Sequence, residues 1–165
     1  MAKNMSINDR NVRLQIWDTA GQEAFRSITR SYYKNSTCAF IVFDITDKKT
    51  FQNVASWLQE CKDMCYKNIL IYLIGNKTDL EDKRQVSKED AQKFSEENNL
   101  AYYETSALNG SNIEEIFINS ASTLVEMLES GELKNELSTS GIKIFKYPNK
   151  ETEEKMNQKK QNGCC

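Results

Sequence analysis

The 165 residues contain no histidine and a single proline, Pro148, and no apolar run exceeds six residues. A membrane-spanning helix needs roughly 20 consecutive apolar residues, so Cys38–Phe43 and Ile69–Ile74 are far too short to cross a bilayer. The N-terminus has no apolar signal core, and secretion is not expected. An excess of one charge is missing too. The net charge is −2 with 28% charged residues, so nothing here attracts nucleic acid or an anionic surface in general. Five cysteines stand at 38, 61, 65, 164 and 165 without a pairing framework. Cys61-x-x-x-Cys65 could suggest a metal site, but with no histidine and no second pair its spacing fits one face of a helix and reduced thiols.

What is present is a regular succession of short elements, of a length that fits one domain. Met5 and Ile7 alternate ahead of the turn Asn8-Asp9-Arg10-Asn11, and Val12, Leu14 and Ile16 alternate with Arg13, Gln15 and Trp17, which predicts a hairpin. Residues 24–36 lack a sustained period and read as a loop with an irregular helical turn. The β-branched and aromatic run from Cys38 to Ile45 predicts a buried strand, and Ile69–Ile74, ending at Gly75, a second. Between them Phe51, Val54, Leu58, Cys61 and Cys65 keep the spacing of an amphipathic helix. Ser87-Lys88-Glu89-Asp90 starts another helix, which stops at Asn98-Asn99 before a short strand, Ala101–Tyr103. Ser111-x-x-Glu114 has the form of a capping box, opening a helix with the stripe Ile113, Ile116, Phe117, Ala121, Leu124 and Leu128 up to Gly131. Strands alternating with helices predict an α/β fold with a mostly parallel sheet covered on both faces. Beyond Gly131 the period is lost among mixed lysines and glutamates, and residues 131–165 read as a flexible tail.

Three clusters of polar residues fall at predicted strand ends, where ligands bind in such sheets. The first is Trp17-Asp18-Thr19-Ala20-Gly21-Gln22-Glu23. An aspartate leaving a strand can hold hydrated Mg²⁺, a glycine can bring its N–H against a phosphate, and a glutamine can orient an attacking water. Alone, the same pattern is also a plain strand-to-loop exit. The second is Gly75-Asn76-Lys77-Thr78-Asp79. A carboxylate at Asp79 can accept two hydrogen bonds from the adjacent N–H and NH₂ of guanine, a pair that adenine does not offer. Asn76 can bond the acceptor side of the base, and the methylenes of Lys77 can lie flat on the ring. A wrong base would leave the carboxylate unpaired, which is worth roughly 10⁴-fold in discrimination. The third is Glu104-Thr105-Ser106-Ala107-Leu108, whose small residues leave backbone N–H groups free to approach a purine oxygen. By itself it is also no more than a tight connection.

Together, and in this order, the three resemble the Ras-like small GTPases, and within them the Rab branch, over about residues 1–130. Phe25-Arg26-Ser27-Ile28-Thr29-Arg30-Ser31-Tyr32-Tyr33 after the first cluster adds to the Rab likeness. The resemblance implies a P-loop NTPase-like G domain binding GTP or GDP. Asp18 would bind Mg²⁺ through water, Gly21 would sense the γ-phosphate and Gln22 would position the hydrolytic water. Asn76, Lys77 and Asp79 would read guanine, helped by Ser106 and Ala107. Trp17 and Tyr32 would belong to a surface for effector and regulator proteins, or else pack ordinarily. Cys164-Cys165 resembles a doubly geranylgeranylated ending, and two lipids give stable attachment to the cytoplasmic face of an intracellular membrane, with a cytosolic pool. The tail lysines are diluted by glutamates and would add little.

The likeness has gaps. No Gly-x-x-x-x-Gly-Lys-Ser/Thr loop occurs, and the switch threonine that completes the metal shell is missing. Relative to the family, the first strand, the phosphate loop, the first helix and the first switch are missing, which points to an N-terminally truncated Rab. The alternative is a nucleotide-free, lipid-anchored interaction module. A mid-sheet strand would be lost, and the strands on either side of it would be left open or paired with each other.

Overall fold

A computed structural model describes residues 1–8, 10–19, 33, 36–65 and 68–133. The hairpin is β1 (Ala2–Ile7) and β2 (Arg10–Gln15), antiparallel with Met5 opposite Val12 and Ile7 opposite Arg10. It turns through Asn8, whose φ of 48° suits a short polar side chain. Three further strands, β3 (Cys38–Asp44), β4 (Leu70–Asn76) and β5 (Ala101–Thr105), make a separate parallel sheet in the order β3-β4-β5. The parallel sheet is therefore present, but the hairpin is a sheet of its own, and β2 and β3 do not pair.

β4 is apolar without alternation because both its faces are covered. Leu73 points into a core with Ile41, Phe43, Val54, Leu58, Cys61, Val86 and Ala91. Ile41 and Phe43 come from β3, Val54, Leu58 and Cys61 from α2 (Val54–Met64), Ala91 from α3 (Lys88–Glu97) and Val86 from the loop before it, while α1 (Lys48–Gln52) lays Phe51 against the same core. Tyr72 and Ile74 point the other way, against Ile116 and Phe117 of α4 (Ile113–Ser130). Phe40 meets Phe117 edge-on, with ring centroids 5.3 Å apart. Farther along α4, Ala121 and Val125 pack on Met5, Ile7, Val12 and Leu14 of the hairpin. One helix thus carries two sheets on a single stripe.

Several element ends differ from expectation for local reasons. The helix expected from Thr50 begins at Lys48, because the Asp47 carboxylate caps Lys49 N–H at 2.9 Å. It is interrupted at Asn53. β5 continues to Thr105 through polar residues, since its register sets Glu104 beside Gly75 and Thr105 beside Asn76. Ser87 does cap α3, accepting from Asp90 N–H at 3.0 Å. The capping box at Ser111 does not form. Asn112 occupies the N-cap with φ 58° and makes no side-chain cap bond, while Ser111 is drawn back into the preceding loop, its carbonyl accepting from Ser106 N–H. Gly131, at φ 89°, ends α4 in the left-handed conformation that glycine tolerates. Cys38, Cys61 and Cys65 are free thiols, and burial pushes Cys38 up to about 12. Among the described residues no helix is long and apolar enough to cross a membrane.

Gly75 is required by space. A Cβ there would lie 3.0 Å from the Tyr102 hydroxyl, 3.1 Å from Phe43 and 3.2 Å from Ile45. Gly75→Ala is expected to cost about 1–3 kcal/mol through overpacking, read as a lower urea midpoint at unchanged slope.

Candidate functional site

The parallel register brings the polar residues together. Asp44 of β3 lies beside Asn76 of β4, and Asn76 beside Thr105 of β5, so three strands end at one level in side chains that can hydrogen-bond. The Asn76 side-chain carbonyl accepts from Thr105 Oγ1 at 3.3 Å and from Ala107 N–H at 3.1 Å. Ser106 Oγ donates to Asp79 Oδ1. The loops after β4 and β5 are thereby tied at two points, and Asn76, Asp79, Ser106 and Ala107 form one cluster.

Its free valences are specific. Asn76 Oδ1 is committed to the neighbouring loop, so Asn76 offers a ligand its amide donor and not its acceptor. Asp79 Oδ2 takes no hydrogen bond among the described residues. A carboxylate oxygen next to an amide N–H₂ and the Ala107 loop is a matched edge for a flat heterocycle with donors and acceptors side by side. Ser106 is fully buried and Thr105 nearly so, so the loop that carries them is fixed from beneath. Gly110 N–H closes onto Ser106 carbonyl at 2.9 Å, and Asn112 Nδ2 donates to Glu104 carbonyl at 2.7 Å.

A second brace lies below the loop. Arg84 donates from Nε to Glu81 Oε1 at 2.7 Å and from both Nη atoms to Glu104 at 2.9 and 3.0 Å. Glu81 belongs to the 3₁₀ segment Thr78–Lys83 that starts at Asp79's own loop, and Glu104 to β5. The guanidinium therefore spans the same two loops that Asp79 and Ser106 join. Its charge is strengthened first by the hydrogen bonds to Glu81 and then by Glu104, against the cost of burial. Tyr102 donates its hydroxyl to Glu104 at 2.7 Å, and burial together with that bond raises its pKa.

Lys77 stands at φ 74°, a left-handed conformation that a non-glycine residue seldom adopts. Its ammonium lies 2.5 Å from Asp44 Oδ2. Asp44 also accepts from Thr46 N–H at 2.8 Å and Thr46 Oγ1 at 2.7 Å. Sequence reading missed Asp44, because an aspartate closing an apolar run looks like a simple strand end. It missed Arg84 as well, whose partners lie on different elements.

Of the remaining predicted residues, two are described, and neither joins this cluster. Asp18 and Trp17 follow β2, on the hairpin sheet, and both are exposed. Gly21, Gln22, Tyr32, Cys164 and Cys165 lie outside the described residues. Asp18's carboxylate could serve Mg²⁺ only as a single anchor to a hydrated ion. Among the described residues no group of three acidic, cysteine or histidine side chains could hold a metal outright.

The sequence profile described as the Ras family matches residues 1–126. Among curated proteins, "Ras-related protein Rab-4B" of Rattus norvegicus and that of Homo sapiens are each 46% identical over 138 residues, covering 84% of this chain. The chain spans 65% of the length of these relatives.

Burial raises the Asp44 pKa, but the hydrogen bonds from Lys77 and then Thr46 outweigh it, and the carboxyl sits below the ordinary aspartate value. A depressed folded-state pKa stabilises the fold above the unfolded value, and that contribution is lost as pH falls through the folded one. Asp44→Asn should therefore be less stable than the parent at pH 7. The difference in urea midpoint should shrink steadily below about pH 4, near the unfolded aspartate value.

Proposed function

The chain belongs to the Ras family, and from that premise we propose that it is a Rab-type guanine-nucleotide switch acting in vesicle-mediated intracellular transport. Asp79 takes the adjacent N–H and NH₂ of guanine, while Asn76, Ser106 and Ala107 hold the loops that frame the base and Lys77 lies on its face. The observation that carries this reading is the double tie between those loops, Asn76 to Thr105 and Ala107 and Ser106 to Asp79, which leaves one carboxylate oxygen and one amide donor open. A base site held in shape before any ligand arrives favours nucleotide recognition over a nucleotide-free module.

In this proposal Asp18 anchors a hydrated Mg²⁺, which neutralises phosphate charge. Gly21 senses the γ-phosphate and Gln22 orients the hydrolytic water. Trp17 and Tyr32 contribute to the surface that meets effectors and regulators. Cys164 and Cys165 carry geranylgeranyl groups that hold the protein on the cytoplasmic face of an intracellular membrane. The 165 residues include no Gly-x-x-x-x-Gly-Lys-Ser/Thr loop to cradle the α- and β-phosphates.

The test is base selectivity. With Mg²⁺ present, GDP should bind saturably and displace ADP. Asp79→Asn turns a double acceptor into a group with a donor, so GDP should weaken by about 10²-fold or more while xanthosine diphosphate, which has an oxygen where guanine has its amine, gains. Equal binding of GDP and ADP, or an unchanged preference in Asp79→Asn, overturns the assignment.

A further inference from the structure

Lys77 combines two features that its place in the base site does not explain. Its backbone is left-handed, and its ammonium is turned towards the end of the neighbouring strand, onto Asp44. Adjacent strands are about 4.8 Å apart. The lysine stem therefore crosses the width of one strand, from the residue after β4 to the last residue of β3. Asp44 is held from the other side. Its Oδ1 is fixed by two donors from Thr46, its backbone N–H bonds Thr50 Oγ1 at 3.0 Å, and its side chain is largely buried. Only Oδ2 faces the lysine. The carboxylate is a fixed post and the lysine is the flexible partner, with four methylenes that would otherwise sample many rotamers.

We propose that Asp44 is a positioning residue of the base site: by anchoring the Lys77 ammonium it lays the lysine methylenes down as a ready-made floor for a purine. This rests on the guanine reading above and adds a residue to it. The floor is indifferent to what the purine carries on its edge, because methylene contact with a ring face does not read donors and acceptors. Asp44 should therefore set affinity for purines in general, whereas Asp79 sets the choice among them. Other charges around the lysine, Asp47 and Asp79, act on it through space without a hydrogen bond.

The experiment titrates the full chain with GMP and with IMP, which lacks the exocyclic amine, following backbone amide shifts so that weak binding is measured. Asp44→Asn should weaken both ligands by about fivefold, the scale of a partly exposed ion pair, and leave their ratio unchanged. Asp44→Glu should recover part of the loss. Lys77→Met keeps a flexible stem but has no ammonium, so in that background Asp44→Asn should cause no further loss. This cycle still reports if one single variant folds poorly, because Asp44→Glu and Lys77→Met are compared with the parent directly. An unchanged affinity in Asp44→Asn, a changed GMP-to-IMP ratio, or losses that add in the double variant overturn the proposal alone. Failure of the parent chain to bind GMP overturns the guanine reading, and this inference with it.

Discussion

The side-chain carbonyl of Asn76 is the joint on which the site depends. It accepts from a hydroxyl on the neighbouring strand and from a backbone N–H two residues farther on, so a single oxygen fixes both the end of β5 and the start of its loop. That requires β4 and β5 to be parallel and in register at their last residues, which they are, with Asn76 beside Thr105. A slip of one residue would turn Thr105 to the opposite face and leave the oxygen facing a different partner. Packing guards against that slip. Leu73 and Ile74 of β4 are buried on opposite faces, so any shift would exchange one apolar core for the other.

Packing also explains why the other end of the molecule is organised separately. The hairpin bearing Asp18 has no strand in common with the sheet bearing Asp79. The two are linked through α4, whose first half meets Tyr72 and Ile74 and whose second half meets Ile7 and its neighbours. Ion pairs from Lys3 to Glu114 and from Arg10 to Glu129 lie along the same helix. These are exposed pairs and add little. The apolar stripe does the joining. One sign of the divided sheet is Val42, which stays 57% exposed although its register partner Ile74 is almost completely buried.

Much of this was legible in the residues. Unbroken apolar runs marked β3 and β4 because strands covered on both faces need no alternation. Spacing along the helices marked the faces now buried, including Leu58 and Cys61 on one side and Ile116 and Ala121 on the other. The cluster proposed to read a base was legible because its chemistry is concentrated in two short segments at strand ends. Asp44 and Arg84 were not, because each acts across elements, and only the register reveals which side chains meet. Ser111 misled for a related reason. A capping box is a local pattern, and here the loop's backbone bond to Ser106 takes precedence over it.

The division of labour among the charged groups follows from what each one lacks. Glu104 is satisfied by Arg84 and Tyr102, Glu81 by Arg84, and Asp44 by Lys77 and Thr46. Each of these carboxylates has both oxygens engaged by protein donors and serves to hold a loop or a stem in place. Asp79 differs, since Ser106 occupies one oxygen and no described group occupies the other. That acceptor stays open among the described residues, and the Asn76 amide donor stays open with it. A ligand that brings its own pair of donors gains a charge-assisted bond there, and one that brings none leaves the carboxylate to water. The selectivity proposed for this site rests on that open carboxylate oxygen, held in place by the ties around it.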